Sequence, residues 1–152
     1  MTILFFTIAG IIVILDQLFK FLAVNFLKPI GEITIINGLL DFVYTENRGA
    51  AFGIFANQRW IFIIFTIVAI LAIIYFLLTK KINDKLLLVA ASLVVGGGIG
   101  NFIDRVFLGY VIDYIELSFF PAICNFADYC ISAGFILFII YIFLKNKDEQ
   151  KS

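Results

Sequence analysis

Hydrophobic residues are gathered into four long runs along the chain, separated by segments that contain most of the polar and charged residues. A helix needs about 20 predominantly apolar residues to cross the ~30 Å hydrocarbon core of a bilayer. The runs are close to that length and predict membrane-spanning helices at about 3–27, 60–78, 86–103 and 119–144. We therefore predict an all-α integral membrane protein in which residues 1–152 form a single membrane domain.

The segment between the first two runs has a different pattern. Two stretches rich in β-branched and aromatic residues, Ile33–Ile36 and Leu39–Thr45, flank Asn37-Gly38, a dipeptide typical of a tight hairpin turn. An isolated hairpin is only marginally stable in water. We therefore predict a small β-rich loop at about 30–55 that rests on the helix ends or on the lipid surface.

The composition supports a membrane location. Hydrophobic residues make up 63% of the chain and charged residues 14%, whereas a soluble domain has about 45–50% and about 25%. The net charge is zero, so no excess of basic residues indicates a nucleic-acid partner. Cys124 and Cys130 lie six residues apart in one apolar run, where we expect them to pack as small core residues without a disulfide.

The distribution of lysines predicts the orientation in the membrane. Lysines cluster in the link between the second and third runs and in the C-terminal tail: Lys80, Lys81, Lys85, Lys145, Lys147 and Lys151. Under the positive-inside rule both regions face the cytoplasm. With four spans, both termini are then cytoplasmic, and the loops at about 28–59 and 104–118 face outward.

Two acidic residues are the main candidates for chemistry. Asp113 lies in the second outward loop, and Asp128 lies fifteen residues further on, inside the fourth run. A carboxylate in an apolar run is costly and is a functional-site hypothesis by default. The chain contains no histidine, so hydrolytic chemistry would have to use carboxylates. The alternative for Asp128 is a structural carboxylate that is satisfied by Arg105 or by backbone donors.

The first run contains an acid and a base that are spaced for an ion pair. Asp16 and Lys20 are four residues apart, with the acid N-terminal, which is the favoured direction on a helix. Near the middle of a span the two side chains should turn inward and neutralise each other or partners on other helices. We favour a structural tie over a proton or ion pathway.

The end of the third run combines small and polar residues. Gly96 and Gly100 are four residues apart, as in close transmembrane helix packing, and no lysine-serine or lysine-threonine pair follows to suggest a phosphate loop. Asn101, Asp104 and Arg105 fall on one helical face. Arg105 could hold Asp104, a phosphate or a substrate carbonyl. Next along the chain, residues 111–115 are predicted as a short extended or helical piece.

Five short motifs occur in order along the chain. They are Asp16-Gln17…Lys20, Asn47-Arg-Gly-Ala-Ala-Phe52, Gly97…Gly100-Asn101…Asp104-Arg105, Val111-Ile-Asp113-Tyr and Asn125-Phe-Ala-Asp128. In this order they strongly resemble the lipoprotein signal peptidases, the type II signal peptidases of bacteria, over essentially the whole chain. The family commonly has an aromatic residue directly before the Asn of the last motif, where this chain has Cys124.

The resemblance implies an aspartic endopeptidase of the bacterial cytoplasmic membrane, with its active site at the outer face. Its substrates would be prolipoproteins that carry diacylglycerol on the lipobox cysteine, and cleavage would occur just before that cysteine. The β-rich loop resembles the family's extracytoplasmic cradle. Asp113 and Asp128 match the catalytic pair. The remaining matched positions are those lining the cleft, Asn47, Asn101, Arg105 and Asn125, and those supporting it, Asp16, Lys20 and Asp104.

We expect no metal and no cofactor, because this chemistry needs no metal and the His-Glu-x-x-His ligand set of a zinc protease is absent. We expect a monomer in contact with membrane lipids, with no nucleic-acid partner. Two carboxylates in a low-dielectric cleft repel each other, so that one tends to hold a proton while the other acts as a base toward water. The rival classes are a small transporter or channel subunit that uses Asp16, Lys20 and Asp128 as a charge relay, and a membrane scaffold. The scaffold alternative leaves Asp128 unexplained.

Overall fold

The computed structural model describes residues 1–49, 58–79 and 84–149. It contains four long helices, with bounds Thr2–Leu22 (α1), Arg59–Thr79 (α2), Lys85–Phe107 (α3) and Phe126–Glu149 (α4). A short π-helix, Ala23–Leu27, continues α1. All four helices are long and apolar enough to cross a membrane, which confirms the four predicted helices. Lys80, Lys81, Lys151 and the end of the predicted β-rich loop lie outside the described residues.

Helix α3 lies at the centre of the bundle and is the most buried of the four. Its glycines permit this position because they let neighbouring helices approach closely. A Cβ atom on Gly96 would collide with Ile12 of α1, and one on Gly97 would collide with the backbone carbonyl of Ala127 in α4. Both contacts agree with the packing role that the small residues predict.

An antiparallel sheet of four strands lies at one end of the bundle. Its strands, in spatial order, are Glu32–Ile36 (β1), Leu40–Asn47 (β2), Val111–Leu117 (β3) and Phe120–Cys124 (β4). The predicted hairpin is present as β1 and β2, and Gly38 in its turn has a φ of 71°, which glycine adopts without steric strain. Residues 111–115 are extended, so the first of the two predicted alternatives is confirmed.

The structure corrects the predicted start of the fourth helix, near Phe119. Residues from Phe120 to Cys124 form β4, and the helix begins only at Phe126. Pro121 lacks a backbone N–H, but an edge strand tolerates this because one of its sides makes no ladder hydrogen bonds. The β structure is therefore not confined to the first loop, since half of the strands come from the segment that precedes α4.

The sheet packs against the π-helical end of α1. The buried residues of this contact are Ala23, Leu27, Ile112 and Tyr114, with Phe42 and Tyr44 of β2 packed around them. The predicted support of the hairpin by the helix ends is thus confirmed. The contact also places β3 directly beside the ends of α1 and α3, where the polar residues of the bundle are concentrated.

Candidate active site

Asp113 and Asp128 are brought together by a single asparagine. Asp113 lies in β3 and is 2% exposed, whereas Asp128 lies in the first turn of α4 and is partly exposed. Asn125 donates from Nδ2 to Asp113 Oδ1 at 2.6 Å. Its own backbone N–H donates to Asp128 Oδ2 at 3.1 Å. The two predicted catalytic residues therefore share one hydrogen-bonding partner.

The local structure at the start of α4 explains why Asn125 and Asp128 are three residues apart. Asn125 immediately precedes the helix, and its Oδ1 accepts from the backbone N–H of Asp128 at 3.0 Å. With the return bond from the backbone N–H of Asn125, this is a reciprocal cap of the helix N-terminus. A carboxylate in the first turn is also stabilised by the helix dipole. The same two residues thus begin the helix and form part of the site.

Every carboxylate oxygen of the pair accepts a hydrogen bond. Asn47, the last residue of β2, donates from Nδ2 to Asp113 Oδ2 at 2.8 Å. Asn101 of α3 donates from Nδ2 to Asp128 Oδ1 at 2.8 Å. Three predicted asparagines therefore hold the two acids from three different elements. Buried carboxylates require such donors because they have lost their water.

A buried cluster of charges supports the two acids. Lys20 Nζ lies 2.8 Å from Asp16 Oδ2 and 2.9 Å from Asp104 Oδ2. It also donates to Asn101 Oδ1 at 2.8 Å. An ammonium group has three donors, and here each has a partner. The predicted pairing of Asp16 and Lys20 is confirmed, and Lys20 additionally fixes which way the Asn101 amide faces.

The carboxylates of this cluster also hold backbone groups. Asp16 Oδ1 accepts from the N–H of Ala127 at 3.1 Å, which joins α1 to the first turn of α4. Asp104 Oδ2 accepts from the N–H of Ile112 at 3.0 Å, which positions the residue directly before Asp113. Gly100 is the point of closest approach, because a Cβ atom there would collide with the Asp16 carboxylate. The cluster therefore ties three helices and β3 into one unit.

Arg105 does not contact Asp104, the first of the three partners considered for it. Its Nη1 donates to the backbone carbonyl of Asn101 at 3.3 Å, and its guanidinium lies 4.9 Å from the ring centre of Phe62 in α2. Within the described ranges no ion pair joins Arg105 to a carboxylate, so Asp104 pairs with Lys20 instead. The structural alternative for Asp128 named Arg105 or backbone donors, and of these the backbone donor, the N–H of Asn125, is present.

Two further residues of the site were not among the predicted ones. Gln17 donates from Nε2 to Asp104 Oδ1 at 3.1 Å and to the carbonyl of Gly100 at 3.2 Å. The Tyr114 hydroxyl accepts from the N–H of Phe126 at 3.2 Å, in the first turn of α4. Both residues stand next to a predicted acid, Gln17 after Asp16 and Tyr114 after Asp113. A polar residue adjoining an embedded acid was the signal that could have identified them.

The surroundings of Asp113 favour its protonated form. Burial, and secondarily the charge of Asp128, raise the pKa of Asp113 from its ordinary value of 3.8 to about 7. The hydrogen bonds from Asn47 and Asn125 oppose this rise because they stabilise the ionised form. Within the part of the chain that the structure describes, no three acidic or cysteine side chains are grouped closely enough to hold a metal ion. The arrangement is suited to moving a proton between water and a bound group.

Fold and site together define a multi-pass membrane protein with two carboxylates at one end of its helical bundle. Similar architecture is found in two solved bacterial membrane enzymes. One is 34% identical with a TM-score of 0.89, covering 97% of this chain and 92% of its own. The other is 35% identical with a TM-score of 0.82, covering 91% of each chain.

The family model for signal peptidase (SPase) II matches residues 8–144, and the chain belongs to this family. A lipoprotein signal peptidase of Lactobacillus johnsonii is 44% identical over 147 residues, covering 95% of this chain and 96% of the relative. One from Caldanaerobacter subterraneus subsp. tengcongensis is 43% identical over 130 residues, covering 86% and 89%. The predicted resemblance to lipoprotein signal peptidases is confirmed, and the protein is a protease.

Proposed function

We propose that this protein is an aspartic endopeptidase that removes the signal peptide from prolipoproteins. Its substrates carry diacylglycerol on a cysteine, and the bond cleaved is the one just before that cysteine. The similarity to lipoprotein signal peptidases supports the substrate class. The observation that carries the proposed chemistry is the bridge from Asn125 to both Asp113 and Asp128, because it holds two carboxylates of different exposure within one network.

The two acids divide the work according to their surroundings. Asp128, which is partly exposed, acts as the base and takes a proton from a water molecule. The oxygen of that water attacks the peptide carbonyl, while Asp113 donates its proton to the carbonyl oxygen. The product of this step is a neutral tetrahedral diol. Asp113 is suited to hold the proton at neutral pH because it is the more buried of the two and has a pKa of about 7.

Collapse of the diol completes the reaction and restores the pair. Asp128 transfers its newly acquired proton to the leaving amide nitrogen as the carbon–nitrogen bond breaks, and one diol hydroxyl returns its proton to Asp113. The products are the carboxyl end of the signal peptide and the free amino group of the lipidated cysteine. Asn101 and Asn47 keep their carboxylates in position throughout, because their amide groups are themselves held by Lys20 and by the backbone N–H of Gly49.

The proposed site faces outward from a bacterial cytoplasmic membrane. Lys85 begins α3, and Lys145 and Lys147 lie near the end of α4. These basic residues are at the opposite end of the bundle from the two acids, so the positive-inside rule supports cytoplasmic termini. The sheet then forms an extracytoplasmic cradle, and substrate acyl chains can stay among membrane lipids while the peptide reaches the acids. We propose that the chain acts as a monomer and as one membrane domain.

The test is cleavage of a lipobox peptide by the purified protein in detergent. The peptide is supplied with and without diacylglycerol on its cysteine. The wild type should cleave only the lipidated peptide, and both Asp113→Asn and Asp128→Asn should abolish cleavage. Asp41→Asn, an acid of β2 outside the network, is the matched control and should remain active. Full activity of either site variant would refute the carboxylate pair, and no cleavage by a folded wild type would refute the enzyme.

A further inference from the structure

A large apolar groove runs along α3, on the side where α2 and α4 flank it. It has a volume of about 580 Å³. Large side chains form its two walls, among them Phe65 and Phe76 on α2 and Phe135 and Phe138 on α4. These four phenylalanines are 41–71% exposed. The groove is therefore open to the lipid and is not a closed core cavity.

The groove is aligned with Asn101 and Asp128 along two helices. On α3 it is lined by Leu87, Ala91, Val94 and Gly98, and Asn101 is the next position on the same helical stripe, since these residues recur at intervals of three and four. On α4, Ile131, Phe135 and Phe138 line it and continue the stripe that starts at Asp128. The groove thus begins one helical turn from the site and leads away from it.

Gly98, on the floor of the groove, differs from the other glycines of α3 in its surroundings. At Gly96, Gly97 and Gly100 a Cβ atom would collide with α1 or α4. At Gly98 the nearest atoms to such a Cβ, on Thr66 and Ile70 of α2, are 3.8 Å away, which is an ordinary contact. The packing of the described helices therefore does not require glycine at this position. Its missing side chain widens the groove one helical turn from Asn101.

The length and position of the groove indicate which apolar part of the substrate fits it, an acyl chain or the apolar core of the signal peptide. From Gly98 to Leu87, the outermost lining residues on α3, the groove extends roughly 17 Å at about 1.5 Å per residue. Leu87 is near the far end of the span, which begins at Lys85. An acyl chain on the lipidated cysteine lies in the leaflet nearest the site, which is only about 15 Å deep. The apolar core of a signal peptide, about 7–15 residues, forms a helix of roughly 10–22 Å.

From this geometry we infer that the groove binds the apolar helix of the substrate's signal peptide, on the N-terminal side of the bond that is cleaved. The inference rests on the proposed function. Small residues on the floor, including Ala91 and Gly98, let a helix backbone approach closely, as in other transmembrane helix pairs. The signal peptide would descend along α3 from the two acids toward the cytoplasmic end, while the acyl chains remain in the outer leaflet.

The experiment compares two diacylglyceryl substrates. One contains the full apolar core of a signal peptide, and the other is a short lipobox peptide without that core. Gly98→Leu should lower kcat/KM for the long substrate by about tenfold or more and leave the short substrate unaffected. Gly98→Ala should have a smaller effect. Gly10→Leu is the matched control, because Gly10 is an exposed helical glycine of α1 with open space around it.

Each outcome has a distinct meaning. Cleavage of both substrates at the wild-type rate by Gly98→Leu would overturn the inference and leave the proposed function intact. If Gly98→Leu cleaved neither substrate, the inference would be overturned in favour of an acyl chain in the groove. If Gly98→Leu changed the oligomeric state, it would be overturned in favour of a second copy of the chain in the groove. Failure of the wild type on both substrates would refute the proposed function itself. A photoreactive benzophenone residue at Val94 should crosslink the long substrate through its apolar core.

Discussion

Asn125 and Asp128 cap each other across the first turn of α4. The Asn125 side chain accepts from the backbone N–H of Asp128 at 3.0 Å, and the Asp128 carboxylate accepts from that of Asn125 at 3.1 Å. The spacing of three is therefore required by the helix N-terminus as well as by the site. A residue that starts a helix has a well-defined position, and here that position places Asp128 beside Asp113.

The two roles of Asn125 can be separated by substitution. Asn125→Ser keeps an oxygen that can accept from the N–H of Asp128, but it loses the Nδ2 bond to Asp113. Asn125→Ala loses both. We expect cleavage of the lipidated peptide to fall strongly in both variants, and the alanine variant to be less stable than the serine variant by about 1 kcal/mol. Wild-type cleavage by Asn125→Ser would show that Asn125 acts only as a helix cap.

The rate of cleavage should fall as the pH rises through about 7. Asp113 has a pKa of about 7 and, in the proposed mechanism, must be protonated when the substrate binds. Above that pH the protonated fraction decreases about tenfold per unit, and kcat/KM should decrease with it. The measurement is a pH profile with the lipidated peptide between about pH 5 and pH 9, within the range where the fold is intact. A flat profile through pH 7 would contradict the assignment of the proton to Asp113.

The same shift makes stability depend on pH. The folded protein holds a proton on Asp113 up to about pH 7, whereas the unfolded chain releases it near 3.8. Between these values the folded state binds more protons, so Asp113 makes stability decrease as the pH rises. We expect the Tm of Asp113→Asn in detergent to lack this decrease, relative to the wild type. Parallel Tm curves for the two proteins would show that the pKa of Asp113 is not raised.

Removal of the buried ammonium should destabilise the protein far more than removal of an exposed one. Lys20→Met leaves the carboxylates of Asp16 and Asp104 buried without their cation, and loss of one partner from a buried pair costs about 3–5 kcal/mol. Lys28→Met removes the exposed pair with Glu46, which water and salt screen, and should change stability little. Denaturation in detergent compares the two. Equal losses of stability would contradict the structural role of Lys20.

Two glycines of the same helix should respond oppositely to alanine. Gly100→Ala places a methyl group against the Asp16 carboxylate. Such overpacking typically lowers the free energy of unfolding by about 1–3 kcal/mol, because neighbouring groups must shift. Displacement of Asp16 would also weaken its bond to the N–H of Ala127. Gly98→Ala meets only ordinary contacts and should leave the Tm unchanged or slightly raised. A tolerated Gly100→Ala would show that α1 can move away from α3 without loss of the fold.

Features that depend on neighbouring residues were predictable from the sequence. The apolar runs have the length of a bilayer, so their number and approximate bounds follow from hydrophobicity. The hairpin follows from Asn37-Gly38, and the pairing of Asp16 with Lys20 follows from the helical repeat. The start of α4 was predicted too early because Pro121 is compatible both with a helix start and with an edge strand. The local signal that distinguishes a helix start from an edge strand here is the cap formed by Asn125 and Asp128, which places the helix start after Pro121.

Features that depend on distant pairing required the tertiary structure. The apolar run before Asn125 becomes a strand because β3 supplies hydrogen bonds to it, as in the pairing of Leu117 with Phe120. Lys20 meets Asp104 and Asn101, more than eighty residues away, because glycines bring α1 against α3. No periodicity in the sequence encodes which buried donor reaches which buried acceptor. The sequence by itself determined the spans, the hairpin and the acids, while helix packing decided their partners, because buried polar groups must be satisfied wherever the fold brings them together.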